Sequence, residues 1–247
     1  RIQSKDARIR LLLSLSANLK VTDWLTLQAR GNLDHSADKL RQKFYASTAT
    51  ALCGMNGRYI EMDYQETQMY GDVMAMVKKQ LNDFTLDVAI GGSINDRITN
   101  STRIDSKNAS LKYANVFNLA NIVMSSSASI DQKIDAHYQL QSVFATAQIG
   151  YKEGVFLDLT ARNDWSSTLA YTKYEKKGFF YPSVGVSFLP DKWVKMPEWV
   201  SFSKLRGAYS IVGNGVPPFI TYPVSYVTAG GEILASDAAP FAEMKPE

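Results

Sequence analysis

Residues 151–215 constrain this chain more than any other part, because three stretches there alternate apolar and polar residues with a period of two. They read GVFLDLTARNDWSSTL, FFYPSVGVSFLPD and KLRGAYSIVGNG. Successive side chains of an extended strand leave opposite faces, so this period gives each strand one apolar and one polar face. Val155, Leu157, Leu159 and Ala161 share the first face, and Phe156, Asp158, Thr160 and Arg162 share the second. From Val155 to Trp165 an extended chain reaches roughly 36 Å, and a tilt of about 45° leaves a height of roughly 25 Å, the apolar band of an outer-membrane barrel.

The same rhythm recurs along the chain. Residues 8–21 put Ile9, Leu11, Leu13, Leu15, Ala17, Leu19 and Val21 on one face, and residues 24–34 return with Leu25, Leu27, Ala29, Gly31 and Leu33. Thr22 and Asp23 turn the first hairpin. A second hairpin is expected over 67–81 and 84–98 across Asn82 and Asp83; its return strand alternates cleanly, whereas Met74 and Met76 oppose Val73, Ala75 and Val77 and leave the facing of the outgoing strand open. Residues 137–151 turn through Lys152, Glu153 and Gly154 into the strand that begins near Val155, and 178–190 and 204–212 complete four hairpins. Between them alternation is lost over 35–66, 99–136 and 166–177, which are expected as long loops, and everything after Gly213 is expected as loop.

Short turns at one end and long loops at the other are the asymmetry of an outer-membrane barrel. Trp24, Phe84, Tyr151, Phe156, Phe188, Trp193 and Trp199 all lie beside the short-turn ends, where an aromatic girdle would meet the membrane interface. The alternation also fits the core of a soluble β-sandwich, with those aromatics capping it, and eight strands could close as a small barrel of their own. No apolar run is long enough for a membrane-spanning helix, and a mean hydropathy of −0.18 is compatible with strands that average oily and wet faces.

Other chemistries find little support in the residues. The 27 basic and 24 acidic residues are spread without a run that would form a nucleic-acid face. Cys53 stands alone, so an intrachain disulfide is excluded, and His35 and His137 are not at metal-ligand spacing with each other or with it. No nucleophile-elbow sequence or phosphate-cradling loop is present, so the chain is expected not to be an enzyme and to hold no cofactor or metal. Glu61, Asp63 and Glu66 form an acidic group expected in the first loop and read as a solvated face. Phe44, Tyr45, Tyr59, Tyr64, Tyr113, Trp165, Tyr171 and Tyr174 are expected as loop aromatics, suited to ligand stacking or to packing of loops on one another.

A more specific signal lies in the order of four segments: ARNDWSSTL (161–169), FFYPSVGVSFLPD (179–191), W-x-SFSKLRGAYSIVGNG (199–215) and MKPE (244–247). They resemble the SusC/RagA family of TonB-linked outer-membrane transporters, with its R-x-D/N-x-SS turn, YFPS-like strand opening, W-x-x-x-x-LR-x-SYG-x-x-GN strand and LKPE-like stretch. LKVTDWLTL (19–27) is similar to a common hairpin of that family. AYS stands at 208–210 where the family has SYG, and Trp165 stands where a Gly is frequent, which touches loop detail. The resemblance implies an all-β fold: residues 1–247 would be part of one antiparallel transmembrane barrel domain, about eight strands of about 22, with plug, N-terminal extension and C-terminal strands outside this stretch. It implies import of nutrients across the bacterial outer membrane, oligosaccharides first and peptides in some members, with TonB acting through the plug. It also implies a SusD-like surface lipoprotein as partner and outer-membrane lipid around the wall. Wet-face residues Arg30, Asp87, Asp158 and Arg162, together with Trp165, are the expected lumen-facing or substrate-contacting positions.

Overall fold

In the computed structural model the alternating stretches pair with their chain neighbours into one antiparallel sheet of eight strands in sequence order. These are β1 (Ile2–Lys20), β2 (Leu25–Phe44), β3 (Arg58–Leu81), β4 (Phe84–Asp105), β5 (Ser129–Tyr151), β6 (Val155–Ser166), β7 (Phe179–Phe188) and β8 (Leu205–Ser210). A separate two-stranded pair, β9 (Ser225–Val227) and β10 (Ile233–Ala235), lies in the tail expected as loop. The structure describes residues 1–107, 111–124, 129–197, 199–217, 225–227 and 233–235. The MKPE segment lies outside them.

Among the described residues no second sheet packs on the eight-stranded one, and β1 and β8 do not pair. That arrangement is neither the sandwich nor the small closed barrel; it is an open wall. Its faces are inverted relative to a soluble protein. Leu15 is 78% exposed, Ile9 74% and Val73 63%, whereas Asp72, next to Val73, is 4% exposed. A contiguous apolar surface of this extent is not left to water.

Register decides which residues share a face. One row runs Leu19, Leu27, Ala75, Ile90, Ala145, Ala161 and Pro182, and the next Ala17, Ala29, Val73, Gly92, Val143, Asn163 and Phe180. The facing of β3, ambiguous in the sequence, is thereby fixed: Val73, Ala75 and Val77 join the apolar rows, and Met74 and Met76 stand on the polar face.

The strands run on well past the expected boundaries. β2 reaches Phe44 and β3 starts at Arg58, so the first loop is 45–57 and not 35–66; β4 reaches Asp105 and β5 starts at Ser129, shortening the second loop likewise. The reason is physical. Above the apolar band both faces of a strand meet water, so alternation ends while ladder pairing continues. The outward positions of β2 there are Lys39, Arg41 and Lys43. With its 24 residues, β3 extends roughly 79 Å, about 56 Å in height at a 45° tilt, against an apolar band of about 25 Å.

The short turns are tied together by aromatics. Lys152 and Glu153 both take positive φ (47° and 54°), the geometry of a type I′ hairpin, closed by Gly154 N–H donating to the Tyr151 carbonyl at 3.0 Å. Trp193 lies so close over Gly154 that a Cβ there would fall 1.7 Å from its Nε1. Its ring meets Tyr151 at 5.7 Å between centroids, and Tyr151 meets Phe84 of the preceding hairpin at 4.8 Å. Phe156, expected in this girdle, instead has the parity of Asp158 and turns onto the polar face against Gly150.

A candidate substrate-contacting wall

The polar face carries a belt of paired charges at mid-height. Its central row is Ser16, Arg30, Asp72, Ser93, Ser142, Asp164 and Phe179, one residue from each of seven adjacent strands. Arg30 donates from Nε to both oxygens of Asp72 (3.1 and 3.0 Å) and also pairs through Nη2 at 3.0 Å. The Asp72 side chain is fully buried there, and a carboxylate removed from water is held in place by such a charged, forked donor. Three strands beyond Asp72, on β6, Arg162 donates to Asp164 at 2.7 Å and to the Ser142 hydroxyl at 2.8 Å. Gln68 donates to Asn95 at 2.9 Å between the two pairs.

Four of the five positions expected from the sequence lie on this face. Arg30 and Arg162 are in or beside the central row. Asp158 accepts from Gln148 at 2.7 Å, beside a recess that also includes Lys204 and Arg206. Asp87 sits near the short-turn rim and pairs with Lys78 at 3.0 Å. These two stand below the row of Arg30 and Asp72 and do not join it. Trp165 is set apart from all four: it has the parity of Leu157 and Leu159 and pairs with Gln141, which puts it on the apolar face at the upper end of β6.

Sequence reasoning passed over Asp72, Ser142 and Asp164, the partners that organise the belt. Parity sets Asp72 opposite Val73, but with the facing of that strand open in the sequence, only its pairing with β2 and β4 puts Asp72 on the polar face. That it meets Arg30 depends on the register between β2 and β3. The polar face is also rich in aromatics, with Tyr64, Tyr70, Tyr138, Phe144 and Tyr181 interleaved among the charges. Phe144 can lie across the wall because its register partner is Gly91, where a Cβ would stand 2.8 Å from the ring.

Above the band the wall becomes a small water-soluble structure. Tyr59, Leu111 and Ile122 are buried together, with Ile104 and Phe117 packed on them, and a bridge joins Leu111 to Ile122. Arg58 clamps Asp105 with two hydrogen bonds of 2.8 Å, Arg103 adds a third contact at 3.0 Å, and the Asp105 side chain is 2% exposed. Burial pushes that carboxyl up, but the hydrogen bonds from Arg58 and from the Lys107 N–H outweigh it and hold it below the usual carboxylate range. Burial and the hydrogen bond to Glu61 push the Tyr59 hydroxyl up to about 12. Cys53 is buried in the adjoining loop, its thiol facing carbonyl oxygens.

The expected acidic group does not exist as a cluster. Glu61 and Asp63 lie on β3, not in a loop, and pair with Arg41 at 2.9 Å and Lys39 at 3.5 Å, while Glu66 has the opposite parity. Phe44, Tyr59, Tyr64 and Trp165, expected in loops, likewise stand on strands.

A one-sheet wall with an oily outer face, a charged and aromatic inner face and short turns at one rim defines a section of a transmembrane β-barrel. The family model "TonB dependent receptor-like, beta-barrel" matches residues 1–232, and the chain belongs to that family, whose barrels are integral to the bacterial outer membrane. Membership of a receptor-barrel family agrees with the expectation that the chain is not an enzyme. No curated protein sequence matches it. Among solved structures it is similar to "Structure of the RagAB peptide transporter" at 18% identity, with a TM-score of 0.77 over 99% of this chain and 27% of that one. It is also similar to the RagAB peptide importer in the "closed-closed" state, at 17% identity and a TM-score of 0.75 over 99% of this chain and 27% of that one. In the "open-open" state the values are 18% and 0.72, over 95% and 26%. The chain thus spans about a quarter of the length of these structures, and what they share with it is the fold.

Proposed function

We propose that residues 1–247 form one wall section of a SusC/RagA-type TonB-dependent transporter that imports an oligomeric nutrient. One observation carries this reading: a carboxylate buried on one face of a strand, Asp72, next to an apolar residue exposed on the other, Val73. That inversion suits a wall with lipid outside and a polar passage inside. The passage is lined by Arg30, Asp87, Asp158 and Arg162, which contact substrate or a plug, while Trp165 serves the outer interface. In the whole protein the plug gates the passage, TonB supplies energy through it, and a SusD-like lipoprotein covers the long-loop end. The substrate is an oligosaccharide, supported by tyrosines set among charged groups on the polar face, an arrangement that stacks on and hydrogen-bonds to sugar rings. A peptide is the second reading, favoured by the solved structures of similar fold, whose titles name a peptide transporter and importer.

The test is uptake by cells that carry or have lost the whole gene. Fluorescent oligosaccharides and peptides of matched size are offered separately. Loss of oligosaccharide uptake alone is expected, loss of peptide uptake alone selects the second reading, and unchanged uptake of both sinks the import proposal. Replacing Asp158 and Arg162 together by Ala is expected to slow uptake several-fold while leaving the assembled barrel intact.

A further inference from the structure

The outward face just above the apolar band carries an excess of positive charge that the ladder pairing places in one patch. Lys5 lies directly opposite Arg41 in the pairing of β1 with β2, and Lys39 and Lys43 flank Arg41 on the same face of β2. The carboxylates facing them are Asp63, 3.5 Å from Lys39, and Glu61, 2.9 Å from Arg41. Among the described residues neither Lys5 nor Lys43 has a carboxylate partner; the Lys43 ammonium lies 5.7 Å from the centre of the Phe117 ring. Four cations against two carboxylates leave this face net positive.

The inner face at the same level is different. Arg8 and Arg10 are each paired with a carboxylate, Asp38 and Asp34. The imbalance is therefore confined to the side that continues the lipid-facing surface. Ile9, the uppermost exposed large apolar residue on the outward face of β1, is four positions below Lys5. That is roughly 13 Å along the strand and about 9 Å in height at a 45° tilt. This is the layer of the headgroups, and basic residues in that layer attract anionic lipid.

We propose that Lys5, Lys39, Arg41 and Lys43 form a binding surface for the phosphorylated glycolipid headgroups of the outer leaflet, the phosphates of lipid A seating between β1 and β2. On β1 the surface follows directly on the lipid-facing row through Ile9 and Ala7, and its charge is complementary to phosphate. It depends on the membrane setting of the barrel and not on the identity of the imported substrate.

The test uses the full-length transporter, purified in detergent and titrated with bis-phosphorylated lipid A, with the same lipid after enzymatic removal of its phosphates, and with inorganic phosphate as competitor. The variant carries Lys5→Gln, Lys39→Gln and Lys43→Gln together, which leaves the Arg41–Glu61 pair in place. Lys79→Gln removes one charge from the outward face at the opposite rim and serves as control. Each basic residue near such a surface contributes roughly fivefold in affinity, so the triple variant is expected to bind phosphorylated lipid A at least about tenfold more weakly, with Lys79→Gln unchanged. Wild-type protein binding dephosphorylated lipid A as tightly as the phosphorylated form would overturn the proposal, and this arm holds even if the triple variant fails to assemble. Displacement of the lipid by millimolar inorganic phosphate would also overturn it, because the site would then serve a free anion.

Discussion

The lower and upper parts of β3 and β4 are one continuous ladder solving two opposite problems. In the lower part Val73, Ile90 and Ile94 are exposed and Asp72 is buried; in the upper part Tyr59 of β3 is buried against Leu111 and Ile122 of the second loop, while Glu61 and Asp63 pair with Arg41 and Lys39 on the outward face. Backbone pairing is the same in both, with no register shift between the strands from Ile60 to Leu81. What changes is the solvent on one side. The comparison teaches that the hydrogen-bonded ladder is indifferent to environment, and that side-chain parity alone says where the membrane stops.

Three experiments put pressure on that contrast. The largest effect is expected from Ile90→Arg, which places a charge in the middle of the apolar rows; assembly should be destabilised by about 4 kcal/mol, read as loss of the folded, heat-modifiable species on a gel. Thr160→Arg on the polar face should cost less than about 1 kcal/mol, and equal costs for the two would dissolve the distinction between faces. Next comes Leu111→Ala, expected to weaken docking of the second loop by about 2–3 kcal/mol through loss of buried area and a residual cavity. Limited proteolysis should then cut that loop faster while the barrel keeps its heat-modifiability; loss of both together would mean that the upper part is not a separate unit.

The smallest effect concerns pH. Asp105 has a lowered carboxyl pKa, so its contribution to loop docking is present above the ordinary carboxylate range and is lost as pH falls through the lowered value. Tyr59, raised to about 12, acts at the other end: its contribution is whole below about 10, the ordinary tyrosine value, and is lost as pH rises toward 12. Loop docking followed by hydrogen exchange should therefore be flat from about pH 5 to 9. A transition near neutrality would assign control to a group other than these two.

The sequence made the lower part legible and the upper part obscure for one and the same reason. Where Leu11, Leu13, Leu15 and Ala17 face lipid, every second residue must be apolar, and the alternation announces the strand. Where Lys39, Arg41 and Lys43 stand above the apolar band, no such demand exists, and strand looks like loop. The wet-face positions Arg30, Asp87, Asp158 and Arg162 could be placed by parity. Their partners depend on register, which local pattern does not encode, so Asp72 and Asp164 went unnoticed. Trp165 was misleading for a different reason, because an aromatic at the interface end of an apolar row has the same local neighbours as one aimed at a ligand.

The contact of Trp193 with Gly154 and Tyr151, and of Tyr151 with Phe84, links the rim ends of successive hairpins. In mechanical terms these rings work as a strap along the rim. A force along the wall that would peel a single hairpin away is shared sideways with its neighbours.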